Sequence, residues 1–274
     1  MPVATLLVEG ALDQQLLSAV IHADGLGGAV VERAGSKGSL APRVAEYRKK
    51  GIEAFYLRDR DFDHDPDPDG RGPTVDRVVA GRVVGWRWCR HAVESYLLDP
   101  GLVERALQLP RADFERALLD AAGQLQAYQV GRWAMARVRA DRSSDPRLHT
   151  RPPEIRKSEM ALPRRLDAAS IRAWVDEEVG AFRDAVLQST ETAALDGLFV
   201  SLTSRQQGIA TPKDVLLLCS GKDILAALEP WFLERKFGDR GQVRERLRNF
   251  VLDHPSEALA LLPEWRALVT LLQA

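Results

Sequence analysis

The chain has 274 residues, 45% of them apolar and 28% charged, and its 20 Gly and 15 Pro are too few for a fibrous or disordered polymer. That length suits one large domain or two small ones, with enough chain for a core that needs no staples. Lys and Arg (38) balance Asp and Glu (39), so contact with a polyanion must come from a local patch and not from a global field.

Over the first hundred residues, short apolar runs alternate with amphipathic stretches of about 12 residues, the pattern of a βαβαβ unit with a parallel sheet. VATLLVEG (3–10) reads as a strand, LDQQLLSAVIHA (12–23) as a helix, GGAVVERAG (27–35) as a strand, SLAPRVAEYRKKG (39–51) as a helix and IEAFYLRDRDF (52–62) as a third strand. A fourth strand, GRVVGWRW (81–88), and a short helix, HAVESYLL (91–98), complete an α/β core over 1–100. Trp86 and Trp88 alternate on that strand and therefore share a face, where core packing is the expected role. Beyond Asp99-Pro100 long helical patterns take over, including 112–138 and 170–188, which defines a helical region over 101–210. The interval 140–165 is rich in Pro and Arg, poor in apolar residues, and reads as a loop. DVLLLCSGKDILAAL (214–228) reads as a short strand, a polar turn and a helix, and residues 245–272 are helical, so 211–274 is a strand/helix segment returning to the core.

No apolar run approaches the roughly 18 residues of a membrane span, and MPVATLLVEGALD lacks the basic flank and apolar length of a secretory signal, so a cytoplasmic protein with no membrane contact is expected. Cys89 and Cys219 stand far apart with no metal-ligand spacing around them, which points to two buried, reduced thiols.

The chemistry concentrates where two strands end. Glu9-Gly10 closes the first strand and Asp59-Arg60-Asp61 the third. In an open α/β sheet the carboxyl ends of strands one and three lie side by side at the switch point. Glu9, Asp59 and Asp61 would then share a crevice, and carboxylates that close must take up protons or hold a cation. A hard divalent ion, Mg2+ or Mn2+, suits a few carboxylates plus water and a substrate phosphate. Asp13, one helical turn beyond the first strand, and Glu94, three residues after His91 on one helix face, are placed to join; the plain alternatives are a dipole-complementing Asp13 and a solvated Glu94.

These segments resemble a TOPRIM domain of the OLD-like nuclease group, the stand-alone type that travels with an ABC-type ATPase. The matching residues are the glutamate-glycine of LLVEGALD at Glu9 and Gly10, the DxD of YLRDRDFD at Asp59 and Asp61, WRWCRHAVESYLLDP with its H-x-x-E-x-Y-L-L pattern, and the Gly-Lys-Asp of CSGKDIL. The resemblance covers residues 1–100 and 218–228. It implies a Rossmann-like TOPRIM parallel sheet with a helical insertion and a helical C-terminal region. It also implies metal-dependent hydrolysis of nucleic-acid phosphodiesters, with Glu9, Asp13, Asp59, Asp61 and Glu94 as metal ligands or their supports. The catalytic residues expected are Glu9, Asp59 and Lys222, the last as a point cation beside the scissile phosphate. The partners implied are DNA or RNA, tRNA included, an ABC-type ATPase subunit as in anti-phage modules, and a second copy of the chain. The alternative is a non-catalytic module, stabilised by a metal, that docks onto nucleic acid or the ATPase.

Other motifs compete with that reading. Asp65, Asp67, Asp69, Gly70 and Asp76 outline a calcium-binding EF-hand loop, but a strand precedes them, Pro66 and Pro68 stiffen the loop, and Asp76 replaces the bidentate Glu, so an acidic loop beside the metal site is preferred. Gly221-Lys222 hints at a P-loop, but Leu216 stands where its first glycine belongs and Asp223 replaces the Ser or Thr that binds magnesium. Gly35-Ser36-Lys37-Gly38 is a phosphate-cradling turn or simply a turn. The DxD is ranked lower as the nucleophile and acid of a haloacid-dehalogenase-type phosphotransferase, because Asp63 stands where that chemistry carries Thr or Val. Finally, residues 132–165 hold ten Lys or Arg against four Asp or Glu, with Trp133 and His149 interleaved: a phosphate-tracking patch or a solvated loop.

Overall fold

The computed structural model describes residues 3–23, 29–67, 70–144, 168–189 and 192–273. In chain order its elements are β1 (Thr5–Val8), α1 (Ala11–Ala23), β2 (Val30–Arg33), α2 (Lys37–Lys49), β3 (Ala54–Arg58), β4 (Thr74–Val79), β5 (Arg82–Arg87), α3 (Val93–Leu97), α4 (Pro100–Leu107) and α5 (Arg111–Ser144). They continue as α6 (Ala168–Ser189), α7 (Thr192–Gln207), α8 (Pro212–Leu218), α9 (Gly221–Ala227), α10 (Glu229–Glu234), α11 (Arg240–Asp253), α12 (Pro255–Leu261) and α13 (Pro263–Gln273). The protein is therefore α/β, as expected. Among the described residues no helix is long and apolar enough to cross a membrane.

The chain divides into two compact units, one of residues 1–129 with 206–274, the other of residues 130–205. The expected divisions at 100/101 and 210/211 thus fall elsewhere: α4 and the first half of α5 belong with the sheet. In the smaller unit Trp133 is buried and the Arg205 guanidinium lies 4.1 Å from the centre of its ring. Residues 145–167, most of the expected Pro- and Arg-rich loop and basic patch, lie outside the described residues.

The larger unit is built on a five-stranded sheet of order β2-β1-β3-β5-β4, parallel except for the β4–β5 hairpin. β1 is aliphatic on both faces because it runs through the middle, with all four residues buried. Its side chains alternate between two cores. Leu7 joins Tyr56, Val84, Leu40 and Val44 under α2. Leu6 and Val8 join Leu57 and Trp86 in the larger core, which α1 fills with Leu16, Leu17, Val20 and Ile21 and the C-terminal helices with Leu247, Val251, Trp265 and Leu268.

Two sequence expectations are corrected. Residues 214–218 form no strand: they belong to α8, because Thr211 caps it in a reciprocal box with Asp214 and Pro212 occupies its first turn. A short apolar run does not distinguish strand from helix, and here the caps decide. The second correction is an additional strand, β4, over TVDRVV. Ala80 and Gly81, both at positive φ (49° and 76°), turn it tightly into β5. Asp76 consequently sits in a strand, where Arg58 Nε holds it at 2.8 Å, and does not close an EF-hand loop.

Candidate metal centre

The strand order places β1 between β2 and β3, so the chain leaves β1 toward one side and β3 toward the other, opening a crevice at their carboxyl ends. Register carries the pairing up to that point, with Leu7 opposite Tyr56. One step beyond the strands, the Asp59 backbone N–H donates to Glu9 Oε1 at 3.2 Å, so the glutamate faces the DxD segment. Gly10 lets the chain turn directly over the next acid, since a Cβ there would sit 2.9 Å from Asp13 Oδ2. Asp13 is thereby buried in the first turn of α1.

β5 brings in the fourth segment. Beyond the register of β3 and β5 the pairing continues: Trp88 N–H donates to Arg58 O at 3.0 Å, and Asp61 N–H to His91 O at 2.8 Å. Asp61 adopts the left-handed backbone region (φ 49°), a conformation Asp tolerates better than bulkier residues, which presents it at the mouth of the crevice. Arg60, between the two aspartates, points inward and is fully buried. It donates to the carbonyls of Cys89 (2.8 Å), His64 (2.7 Å) and Leu217, tying the DxD loop to the end of β5 and to α8.

Glu94 is fixed by its neighbours on α3. Tyr96 packs against Trp88 and Trp265, ring centres 4.9 and 5.9 Å away, and its hydroxyl donates to the buried Glu264 carboxylate. Arg90 clamps the same segment through Ser95 O (3.1 Å) and Asp99 (2.7 Å). Gly221, at the start of α9, packs so closely that a Cβ would lie 2.5 Å from the Ser95 nitrogen. The wholly buried Gln129 accepts from the Ser220 N–H (3.3 Å) and donates to Asp223 (3.0 Å), which locks the Ser-Gly-Lys-Asp turn. Lys222 then projects with its Nζ 3.6 Å from Glu94 Oε1.

Electrostatics show how the acids converge. Burial pushes the Asp13 carboxyl up to about 7, helped by the charges of Glu94 and Glu9. Burial likewise raises Asp59 well above the usual carboxylate range, with Asp13, Asp61, Glu94 and Glu9 adding repulsion. Glu9 is raised by burial and by Asp61, against the pull of Lys37. Asp59 therefore lies within electrostatic reach of the other four predicted acids. Asp59 Oδ1 and Glu94 Oε2 are buried without a hydrogen-bond partner among the described residues. A buried carboxylate oxygen without a donor is costly unless it is protonated or meets a cation. These hard oxygen donors suit Mg2+ or Mn2+, which keep several waters and need no protein cage. Among the described residues no three His, Cys, Asp or Glu groups stand as a preformed cage.

Two lysines border the cluster. Lys222 was expected; burial would lower its affinity for a proton, but Glu94, Asp59 and Asp61 outweigh that and raise it. Lys37 belongs to the Gly35-Ser36-Lys37-Gly38 segment, whose sequence suggests a phosphate cradle or a turn but no side-chain role for the lysine. It reaches from the first turn of α2 to Asp61 and, at 2.8 Å, to Asp63. The available signal was its place just past the carboxyl end of β2, beside β1, where loops of a parallel sheet gather. Arg60 and Gln129 act at long range, and the sequence carries no local mark of either. No family model matches the chain, and no curated protein does.

Proposed function

We propose that the protein is a Mg2+- or Mn2+-dependent nuclease of the TOPRIM, OLD-like type that hydrolyses nucleic-acid phosphodiester bonds. The observation that carries this reading is the convergence of Glu9, Asp13, Asp59, Asp61 and Glu94, with Asp59 Oδ1 and Glu94 Oε2 buried and lacking donors, next to an exposed lysine. Those five residues would hold the metal. Bound there, it supplies an activated water and charge stabilisation for the leaving oxygen.

The protein's own part is positional. Glu9 and Asp59 are locked face to face through the Asp59 N–H, and Glu94 is held by the aromatic clamp of its helix. Lys222, with 62% of its side chain exposed, is free to meet a phosphate while its base stays fixed by the Gln129 clasp. A point cation at that place stabilises charge growing on the phosphate oxygens. Lys37 holds Asp61 and Asp63 and limits like-charge repulsion at the mouth. Action as the effector of an ABC-type ATPase, in a cytoplasmic anti-phage setting and as a homodimer, is part of the same proposal and rests on the resemblance alone.

The test is cleavage of plasmid, single-stranded DNA and tRNA with Mg2+, Mn2+ or EDTA, by the parent and by Asp59→Asn. Metal-dependent cleavage that Asp59→Asn reduces by at least a hundredfold is expected. Binding without cleavage under every metal condition would favour the non-catalytic module.

A further inference from the structure

A cleft of about 650 Å3 is lined by Glu94 and Lys222 of the candidate metal centre together with Arg240 and Arg244. The two arginines stand at i and i+4 on α11, one turn apart on the same helix face. Apart from Glu94, the acids of the lining are already engaged within the protein. Asp223 accepts from Gln129 (3.0 Å), Asp239 caps α11 through the Gln242 N–H (2.8 Å), and Glu229 accepts from the Arg240 N–H (3.3 Å). Arg240 keeps only a long 4.0 Å approach to Glu229, and Arg244, exposed, has no ion pair among the described residues. The lining therefore presents positive charge that the protein does not use, in the same cleft as Lys222 and the buried unpartnered oxygen of Glu94. The valine and leucine face of α11 (Val243, Leu247, Val251) is buried, so the helix cannot roll to take the arginines elsewhere.

We propose that this cleft is a backbone track for one strand of nucleic acid, in which Arg244 and Arg240 bind the phosphates flanking the one beside Lys222. The inference rests on the nuclease reading for its direction, but the binding it describes can be measured without turnover. Contacts to backbone phosphates position a strand without reading its sequence, so the track would be indifferent to base identity.

The test uses the full chain and a fluorescein-labelled single-stranded 20-mer in Ca2+, followed by anisotropy across a salt series. Arg244→Glu should weaken binding at least tenfold, while Arg244→Lys, which keeps the charge, should retain most of it. Arg240→Ala with Arg244→Ala should lower the slope of log affinity against log salt by about 1.4, at roughly 0.7 per single-strand phosphate contact. Arg116→Glu, an equal charge change at an exposed site on α5, should leave binding as it was. A parent that does not bind, an Arg244→Glu protein that binds like the parent, or equal losses in Arg244→Glu and Arg116→Glu would each overturn the track. Arg244-dependent binding without metal-dependent cleavage would sink the nuclease reading and leave the track standing. Metal-dependent cleavage by a protein whose binding ignores Arg244 would do the reverse.

Discussion

Replacing Asp13 by Asn should make the metal-free protein more stable. Asp13 ionises near 3.8 in an unfolded chain and near 7 in the folded protein, because it is buried among Glu94 and Glu9. The folded form therefore binds the extra proton between those values. Folding stability falls as pH rises through that window, and above about 7 the whole penalty is in place. A shift of that size corresponds to about 4 kcal/mol at about 1.4 kcal/mol per pH unit. Since Glu94 and Glu9 share the repulsion and relax once one charge is gone, we expect a gain of about 1–2 kcal/mol, or roughly 3–6 °C in Tm for a unit of this size. The assay is thermal unfolding in EDTA at pH 8 and pH 5, with and without excess Mg2+. Asp13→Asn should melt above the parent at pH 8, and by less than half that margin at pH 5, where the folded parent is already protonated there. The parent should recover the difference when Mg2+ is added. An Asn variant that melts at or below the parent at pH 8, or that gains as much at pH 5, would refute the idea of a charge-strained acidic cluster.

Gly221→Ala is expected to destabilise by about 1–3 kcal/mol, since the new Cβ would press on the backbone at the Ser95 nitrogen and the Glu94 carbonyl carbon, which cannot retreat as a side chain can. Because the same shift separates Lys222 from Glu94, cleavage should fall at least tenfold at a temperature where circular dichroism still reports a folded protein; full activity there would show that this close approach is irrelevant to the site. Burial pushes the thiols of Cys89 and Cys219 up to about 12. On the order of one in ten thousand is then thiolate at pH 8, and neither should react with an aromatic disulfide reagent until guanidinium unfolds the chain. Prompt reaction of one thiol in the native protein would contradict the packing described around β5 or α8.

What could be read from the sequence was set by range. The parallel unit is written in local patterns: the apolar run LLV in β1, an amphipathic α1, and acids placed where strands stop. Glu9, Asp59 and Asp61 follow from a general property of parallel sheets, that loops at the carboxyl ends face one crevice, so their meeting required no knowledge of distant contacts. β4 escaped because its turn is Ala80-Gly81, and Ala at positive φ gives no local signal of the kind Asn or Gly would. The Pro- and Asp-rich segment before it also looked like loop to its end. The strand expected at 214–218 failed for the opposite reason: the apolar run Val215–Leu218 is compatible with either structure, and the capping box of Thr211 and Asp214 that decides it lies just before the run. The contacts that fix the site geometry were out of reach. Arg60 meets Leu217 across 157 positions, and Gln129 meets Ser220 across 91. Nothing in the composition near Arg60 or Gln129 distinguishes them from residues on a solvated surface.

Those long contacts also explain how so much negative charge persists inside a folded protein. The repulsion gathered on Asp59, Asp13 and Glu9 favours any motion that separates the acids, and with stabilities of about 5–15 kcal/mol such motion is within reach of a natural fold. The DxD aspartates, Glu94 and Asp13 are instead tied to parts of the structure that lose more by moving. The DxD loop is anchored by the Arg60 guanidinium, whose release would leave three carbonyls without that donor. Glu94 is anchored by Trp88, Tyr96 and Trp265, and Asp13 by the helix that fills the larger core. The repulsion therefore appears in proton affinity and not in geometry; Lys37 and Lys222 offset part of it at the rim, and protons or a divalent cation would relieve the rest at buried Asp59 and Asp13. On the proposed reading of the cluster as a metal site, loosening an anchor should lower metal affinity even where no acid is changed, as supporting residues around metal ligands do in general.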